Sequence, residues 1–337
     1  EQKHEFLIKD NVGFGEWDWD SLANEWEVDK LEEWGLDLPI DLSVQEEDKE
    51  VIAHEKLQEK FIIPPFSILD TRQGYWIERK KNWKNLIQDF GESRENTLHN
   101  SNSSEKSVMN EMPSVSILDP VLAEITNKWF GLEKCNTFDC FAGDTVFGYV
   151  SSYLGNKFTG IELRKEQAEL NNLRVKGFNA NYICDDGRNV LNYIEENSQD
   201  LLFSCPPYFD LEVYSDLEND ASNQETYEEF IEIIEDAFSK AIKCLKENRF
   251  AVITVGDVRD KDGYYYNFIE DIKRIFIKNG MKLYNELILI ESLGTLPQRV
   301  GRFMKQRKVG KCHQNVLVFY KGNTKEIKNI FPSIEIE

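Results

Sequence analysis

From residue 115 onward, short apolar runs alternate with stretches of helical length, and few folds admit that alternation. Strand candidates fall at Thr137–Phe141, Phe158–Leu163, Tyr182–Asp185, Leu201–Ser204, Phe250–Val255, Lys282–Ile290 and Asn315–Tyr320. A helix over about Pro120–Trp129 precedes them, and helical segments at Thr145–Leu154, Lys165–Lys176, Thr226–Leu245 and Tyr264–Asn279 separate most of them. Repeated strand–helix–strand units need right-handed crossovers, and these wind into a mostly parallel sheet covered by helices on both faces. The sequence therefore predicts an α/β protein with a doubly wound, seven-stranded, mostly parallel sheet. No long helix separates the last two strands, so the sheet is expected to close with a hairpin. Ligands of such sheets bind outside the carboxyl ends of the strands, near the point where strand order reverses.

That domain, residues 115–323, leaves much of a 337-residue chain unused. Residues 1–90 read as a small, mainly helical appendage. Trp17, Trp19, Trp26 and Trp34 sit among acids there, and either pack on the rest of the chain or need a partner surface. Further on, Arg79, Lys80, Lys81, Trp83 and Lys84 form a basic aromatic helix. Its interleaving suits phosphate contact and base stacking, and equally suits a solvated amphipathic face. Residues 91–114 are rich in Ser and Asn with few large apolar groups and read as a flexible linker. Residues 324–337 are a C-terminal tail.

The net charge of −21 argues against a nucleic-acid partner only while it is taken as an average. Residues 1–60 carry 19 acidic and 6 basic side chains, whereas residues 294–321 carry seven basic and no acidic ones. Arg299, Arg302, Lys305, Arg307, Lys308 and Lys311 lie between the last two strands, flanked by Gly294, Gly301 and Gly310. They read as a mobile loop tracking phosphates. No apolar run approaches the length of a membrane span, and the first residues lack a basic-then-apolar leader, so a cytoplasmic protein is expected. Six cysteines occur without a C-x-x-C pair and the four histidines are scattered, so no metal site is expected.

Chemistry gathers at the strand ends. The first strand runs into Asp139, Cys140, Phe141, Ala142, Gly143, Asp144 and Thr145; a glycine there lets the backbone turn sharply and approach a nucleoside cofactor. Glu162 ends the second strand 19 residues beyond Gly143, the spacing of an acid that accepts from ribose hydroxyls. Asp185 and Asp186 end the third. The fourth ends in Ser204-Cys205-Pro206-Pro207-Tyr208-Phe209. A Pro-Pro pair cannot continue a strand, and instead holds a rigid turn that presents carbonyls, followed by aromatics able to stack on a base.

Together these segments make residues 116–321 resemble the S-adenosylmethionine-dependent DNA amino-methyltransferases, which have a Rossmann-like fold. The family's glycine motif resembles Asp139–Gly148, its acid after the second strand resembles Glu162, and its Asp/Asn/Ser-Pro-Pro-Tyr motif resembles Cys205–Tyr208. The segment from Asp119-Pro120 resembles the one that closes over the methionine end of the cofactor, and Lys311–Phe319 resembles the last hairpin. Gly15–Trp19 and Trp34–Pro39 resemble the linker of phage-type ParB–methyltransferase fusions, here without the ParB-like domain. The resemblance implies S-adenosylmethionine bound by Asp119, Pro120, Asp139, Phe141, Ala142, Gly143, Thr145, Glu162, Asp185 and Asp186. It implies methyl transfer at Ser204–Tyr208 to cytosine N4 or adenine N6 of a base flipped from duplex DNA. It also implies a restriction-modification or phage setting in a bacterial or phage-infected cell.

Two residues depart from the family pattern. Thr145 stands where a second glycine is usual, and Cys205 stands where an Asp, Asn or Ser accepts from the target amine. A thiol is a weak acceptor, for which Ser204 or a main-chain carbonyl could substitute. Cys is closest in size to the Ser of the cytosine-N4 branch, and adenine N6 stays open. Ring-carbon methylation through a Cys205 nucleophile is disfavoured, because enzymes of that kind place Pro before Cys. The Asp210–Asp216 loop reads either as a lid or as an ordinary surface loop. An RNA or protein amine methyltransferase, and a catalytically silent DNA-binding module, are the competing expectations.

Overall fold

The computed structural model describes residues 53–54, 56–57, 61, 63–88, 117–209, 215–293 and 296–334. The four N-terminal tryptophans, the 91–114 linker and residues 210–214 of the possible lid lie outside them. Within these bounds the chain runs β1 (Ile68–Asp70), α1 (Gly74–Ile87), α2 (Pro120–Phe130), β2 (Asn136–Asp139), α3 (Val146–Tyr153), β3 (Lys157–Glu162), α4 (Lys165–Arg174), β4 (Ala180–Cys184) and β5 (Gln199–Ser204). It continues with α5 (Tyr227–Cys244), β6 (Leu245–Val255), α6 (Phe268–Lys278), β7 (Lys282–Ile290), α7 (Leu296–Lys305), β8 (His313–Lys321) and the single turn α8 (Ile327–Ile330).

One sheet has the order β1-β7-β8-β6-β5-β2-β3-β4. All neighbours are parallel except β8, which is antiparallel to both β6 and β7. The central strands show why the sheet must be covered twice. On β8, Val316, Val318 and Tyr320 enter one core, while Leu317 and Phe319 enter the other. On β6, Phe250 and Val252 alternate in the same way with Ala251 and Ile253. Period-2 alternation of apolar with apolar residues leaves no face for water. Helices α1, α2 and α3 contribute to the first core, and α5 and α6 to the second. The start of α5 is set by a capping box, with Thr226 accepting from Glu229 N and Glu229 accepting from Thr226 N.

Three expectations change. The sheet has eight strands, because Ile68–Asp70 adds a parallel edge to β7. The segment around it is no separate appendage: Trp76 and Trp83 are fully buried in the core that also holds Val121 and Val150. The basic segment is not wholly a loop, since residues 296–305 form α7. At the other end of the chain, Phe331 of the tail packs on Phe250 at 5.1 Å.

Arg79 was expected to meet DNA, and the fold assigns it elsewhere. It is 6% exposed and forks onto Glu124, with Nε to Oε2 at 2.9 Å and Nη2 to Oε1 at 2.8 Å. Trp83 Nε1 donates to the same carboxylate at 2.7 Å, and Arg79 also donates to the carbonyls of Lys56 and Leu57. On α1, Arg79 and Trp83 thus form a buried seam with Glu124 whose guanidinium is inaccessible to phosphate, while Lys81 and Lys84 are exposed. Removing one charge of such a pair strands the other. Glu124→Gln is expected to cost about 3–5 kcal/mol in chemical denaturation, and the paired change Arg79→Met with Glu124→Leu should cost less than Glu124→Gln alone.

Candidate active site

A cavity of about 390 Å³ opens along the carboxyl edge of the sheet, over the reversal of strand order between β2 and β5. The loop after β2 supplies Asp139, Phe141, Ala142, Gly143 and Asp144. Gly143 sits at φ +56°, a left-handed conformation that favours glycine. Glu162, at the end of β3, accepts from Gly143 N at 2.9 Å with one oxygen and from Arg164 N at 2.9 Å with the other. The acid thereby holds the glycine turn in place while lining the cavity itself. Gly187, after β4, lies so close to Cys140 that a Cβ would meet its carbonyl oxygen at 2.3 Å. The residue ahead of it, Asp186, accepts from Arg188 and from Asn219 Nδ2 at 3.0 Å and also lines the cavity.

The β5 end brings Cys205, Pro206, Pro207 and Tyr208 into the same cavity. Cys205 is half-buried. Tyr208 stands edge-on to Phe268 at 6.2 Å, which fixes its ring beside the turn. The remaining wall comes from Asp119 at the start of α2, Thr254 on β6, Glu291 after β7, Gln314 on β8 and Thr71 and Lys80 of the N-terminal segment.

Several expected site residues serve these ones from behind. Ser204 is fully buried and donates to Asp139 Oδ1 at 2.6 Å, so its hydroxyl does not substitute for Cys205 in the cavity. Thr145 is fully buried and donates to Asn171 Oδ1 at 2.7 Å, which joins the turn to α4 instead of presenting a side chain to a ligand. Pro120 is buried at the first turn of α2. Asp185 accepts from Tyr193 Oη, Asn189 Nδ2 and Asp186 N, and is absent from the cavity wall. Phe209 is buried in a ring cluster with Tyr227, Phe230 and Tyr266, so it does not stack on a substrate.

The cations divide. Arg299, Arg302, Lys305 and Arg307 are exposed on and just after α7, and no acid lies between Ser292 and Lys321. Lys308 is half-exposed. Lys311 is half-buried, with burial lowering its pKa; a Cβ on Gly256 would meet its Nζ at 3.3 Å and Tyr208 Oη at 3.6 Å. It belongs to the surroundings of the Cys205–Tyr208 turn and not to the exposed cationic surface. Lys80, also expected to meet DNA, pairs with Asp119 at 3.1 Å inside the cavity wall. Thr254, Glu291 and Gln314 were missed because single polar residues at strand ends carry no motif; their common position at the carboxyl edge was the only available signal. Among the described residues no group of His, Cys, Asp and Glu comes together to hold a metal, and no helix is long and apolar enough to cross a membrane.

No protein-family model matches the sequence, and no curated protein matches it. Solved structures with a similar arrangement include a candidate DNA modification methylase from Thermus thermophilus, with 19% identity, a TM-score of 0.32, and coverage of 44% of this chain and 53% of that one. The alignment thus spans about half of the Thermus chain. Another is a TehB-like S-adenosylmethionine-dependent methyltransferase from Corynebacterium glutamicum, with 18% identity, a TM-score of 0.37 and coverage of 59% and 86%. A candidate RNA methyltransferase from Pyrococcus horikoshii has 12% identity, a TM-score of 0.37 and coverage of 70% and 98%. Likeness at this level transfers no activity.

Asp139 provides a test of the site's electrostatics. Burial chiefly, with repulsion from Asp144 and Glu162, lifts its carboxyl from 3.8 to about 7 despite the bonds from Ser204 and Phe141 N. Between those values the folded protein keeps a proton that the unfolded chain has lost. The residue's contribution to stability is therefore fully present below about 3.8 and is lost as pH rises through about 7. Asn mimics the neutral form. Asp139→Asn should stabilise the fold near pH 8 by on the order of a few kcal/mol, read as a higher melting temperature, with the gain shrinking towards pH 4. A gain independent of pH would contradict this assignment.

Proposed function

We propose that this protein is an S-adenosylmethionine-dependent methyltransferase that acts on an exocyclic amino group of a DNA base, cytosine N4 or adenine N6. The observation that carries the reading is the convergence of two sites in one cavity: the Gly143–Glu162 turn and the Cys205–Tyr208 turn. The first suits a nucleoside. Each oxygen of the Glu162 carboxylate holds one backbone N–H, and a carboxylate oxygen can accept a further bond, as ribose hydroxyls require. Phe141, Ile161 and Leu163 add the apolar wall that a purine needs.

S-adenosylmethionine, when bound, supplies a methyl group already activated for transfer. The chain's task is alignment. Pro206 and Pro207 fix the direction of the turn's carbonyls, which accept from the amine N–H and orient its lone pair. Because Ser204 faces Asp139, this main-chain acceptance, with the weakly accepting Cys205 thiol, carries the role that a side-chain oxygen has elsewhere. Tyr208 offers its ring to the base. The bound cofactor would supply the methyl group, and the target amine, held by this turn, would release its surplus proton to water. A base inside a duplex cannot reach this turn, so it must be extruded first. The exposed cations of α7 and Arg307 belong to the same β7–β8 connection that supplies Ser292 to the cavity. They favour a polyanionic substrate over a protein amine.

The deciding experiment incubates the protein with labelled cofactor and either unmethylated duplex DNA or total RNA. The nucleic acid is then digested to nucleosides and the product identified by mass spectrometry. Label in N4-methylcytosine or N6-methyladenine from DNA is expected; label only in RNA nucleosides, or none, would refute the reading. Cys205→Ser should keep substantial activity, whereas its loss together with a trapped covalent adduct on the wild type would assign the thiol a nucleophilic role. Neutralising Arg299, Arg302 and Lys305 together should weaken DNA binding. It should also reduce the salt dependence by roughly 0.9 in log–log slope for each phosphate that is no longer neutralised, with the affinity for S-adenosylhomocysteine unchanged.

A further inference from the structure

Between β6 and α6 the chain doubles back on itself. Arg259 and Tyr265 form an antiparallel bridge, and Tyr266 N donates to the Val258 carbonyl at 3.1 Å. At the tip, Gly263 N donates to the Asp260 carbonyl at 3.1 Å. Tyr264 is fixed through both of its backbone groups. Its carbonyl accepts from Asp260 N at 2.8 Å, and its N–H donates to Asp260 Oδ1 at 2.8 Å. Arg259 lies over the Tyr265 ring at 3.9 Å and donates to the Gly263 carbonyl at 2.6 Å. These bonds close residues 258–266 into a small hairpin, which a partner would not have to order on binding.

Both ends of the hairpin are anchored near the candidate site. At its base, Tyr266 stacks on Tyr227 at 4.5 Å and meets Phe209, the residue after the Cys205–Tyr208 turn, edge-on at 5.4 Å. At its tip, a Cβ on Gly263 would meet Lys308 Nζ at 2.5 Å. The hairpin thus touches the chain just after the Pro-Pro turn on one side and the basic β7–β8 connection on the other.

What it offers to solvent is a ring. Tyr264 is 75% exposed and belongs to neither core. The hairpin's own charges nearly cancel, with Arg259 and Lys261 against Asp257, Asp260 and Asp262. Two of those acids are engaged by backbone amides, Asp257 by Ile269 N and Asp260 by Tyr264 N. Charge comes instead from the neighbouring connection, where Arg302, Lys305 and Arg307 are exposed. A fixed, exposed ring next to a cationic segment suits a nucleic-acid strand, because phosphates meet the cations and a base covers the ring. Extruding one base from a duplex also uncovers the faces of its neighbours, so such a ring finds a partner in duplex DNA as well.

We infer that Tyr264 is a substrate-contact residue that stacks on a DNA base beside the extruded target. The 258–266 hairpin then makes an aromatic contact separate from the cationic contact of α7. The inference rests on the DNA reading above and deepens it, since it gives the bases outside the cavity a site on this chain.

Two assays test it: binding of a mixed-sequence single-stranded oligonucleotide, whose bases are unpaired, and methylation of unmethylated duplex DNA. Tyr264→Ala should weaken oligonucleotide binding by about fivefold or more, the loss expected for one stacked base, and lower duplex methylation by a similar factor. A ring and not a charge is removed, so the log–log salt slope should stay that of wild type. Tyr264→Phe keeps the ring and should stay within about twofold of wild type. An unchanged affinity for S-adenosylhomocysteine should show that Tyr264→Ala is folded. The inference is overturned, with the substrate reading left intact, by any of three results: Tyr264→Ala within about twofold of wild type in both assays, an equal loss in Tyr264→Phe, or a loss accompanied by a shallower salt slope. A wild type that methylates no DNA would instead refute the substrate reading itself.

Discussion

The buried pair of Arg79 with Glu124 is the interaction on which the architecture turns. It joins a helix of the N-terminal segment to the helix that enters the main domain, across a long connecting stretch. A guanidinium fork matched to a carboxylate has direction as well as strength, so α1 cannot rotate or slide on α2 without stranding two charges. Trp76 and Lys80 lie on the same helix, and their register is set by that pair. The position of Asp119 at the cavity follows from it. A structural bond between two helices thereby fixes a group that lines the cavity.

The carboxyl edge of the sheet concentrates acids where water is scarce. Asp139, Asp144, Glu162, Asp186 and Glu291 all line one cavity, and each is answered differently. Glu162 and Asp186 are met by backbone amides, Arg188 and Asn219. Asp139 has two bonds on one oxygen and gains a proton near neutrality. Glu291 has one amide donor and a raised pKa. Where the protein leaves an acid under-compensated, the balance falls to a ligand or to a proton.

Much of the sheet was legible because its signal is local. The alternation on β6 and β8 and the capped starts of α2 and α5 appear in the residue order, and β7 has the expected bounds, Lys282–Ile290. The residues at strand ends were legible for the same reason: Glu162, Gly143 and Cys205–Tyr208 do reach one cavity. What was illegible depends on side-chain direction. Ser204 and Cys205 are adjacent, and strand geometry turns them to opposite sides, one to Asp139 and one to the cavity. Arg79 and Lys80 are adjacent on a helix, and only one faces the core. Composition sees two cations in either place. The edge strand Ile68–Asp70 was missed because three residues carry no usable periodicity.

That edge strand has a kinetic consequence. Ile68–Asp70 pairs with Ile288–Ile290, so its partner lies more than two hundred residues downstream. At about 5–20 residues per second, synthesis leaves it unpaired for roughly 10–40 s. During that time the Arg79–Glu124 seam can already form, since both partners emerge early. The hydrogen-bonded edge must wait for β7. Among the described residues, the earliest strand of the chain is therefore the last to join the sheet.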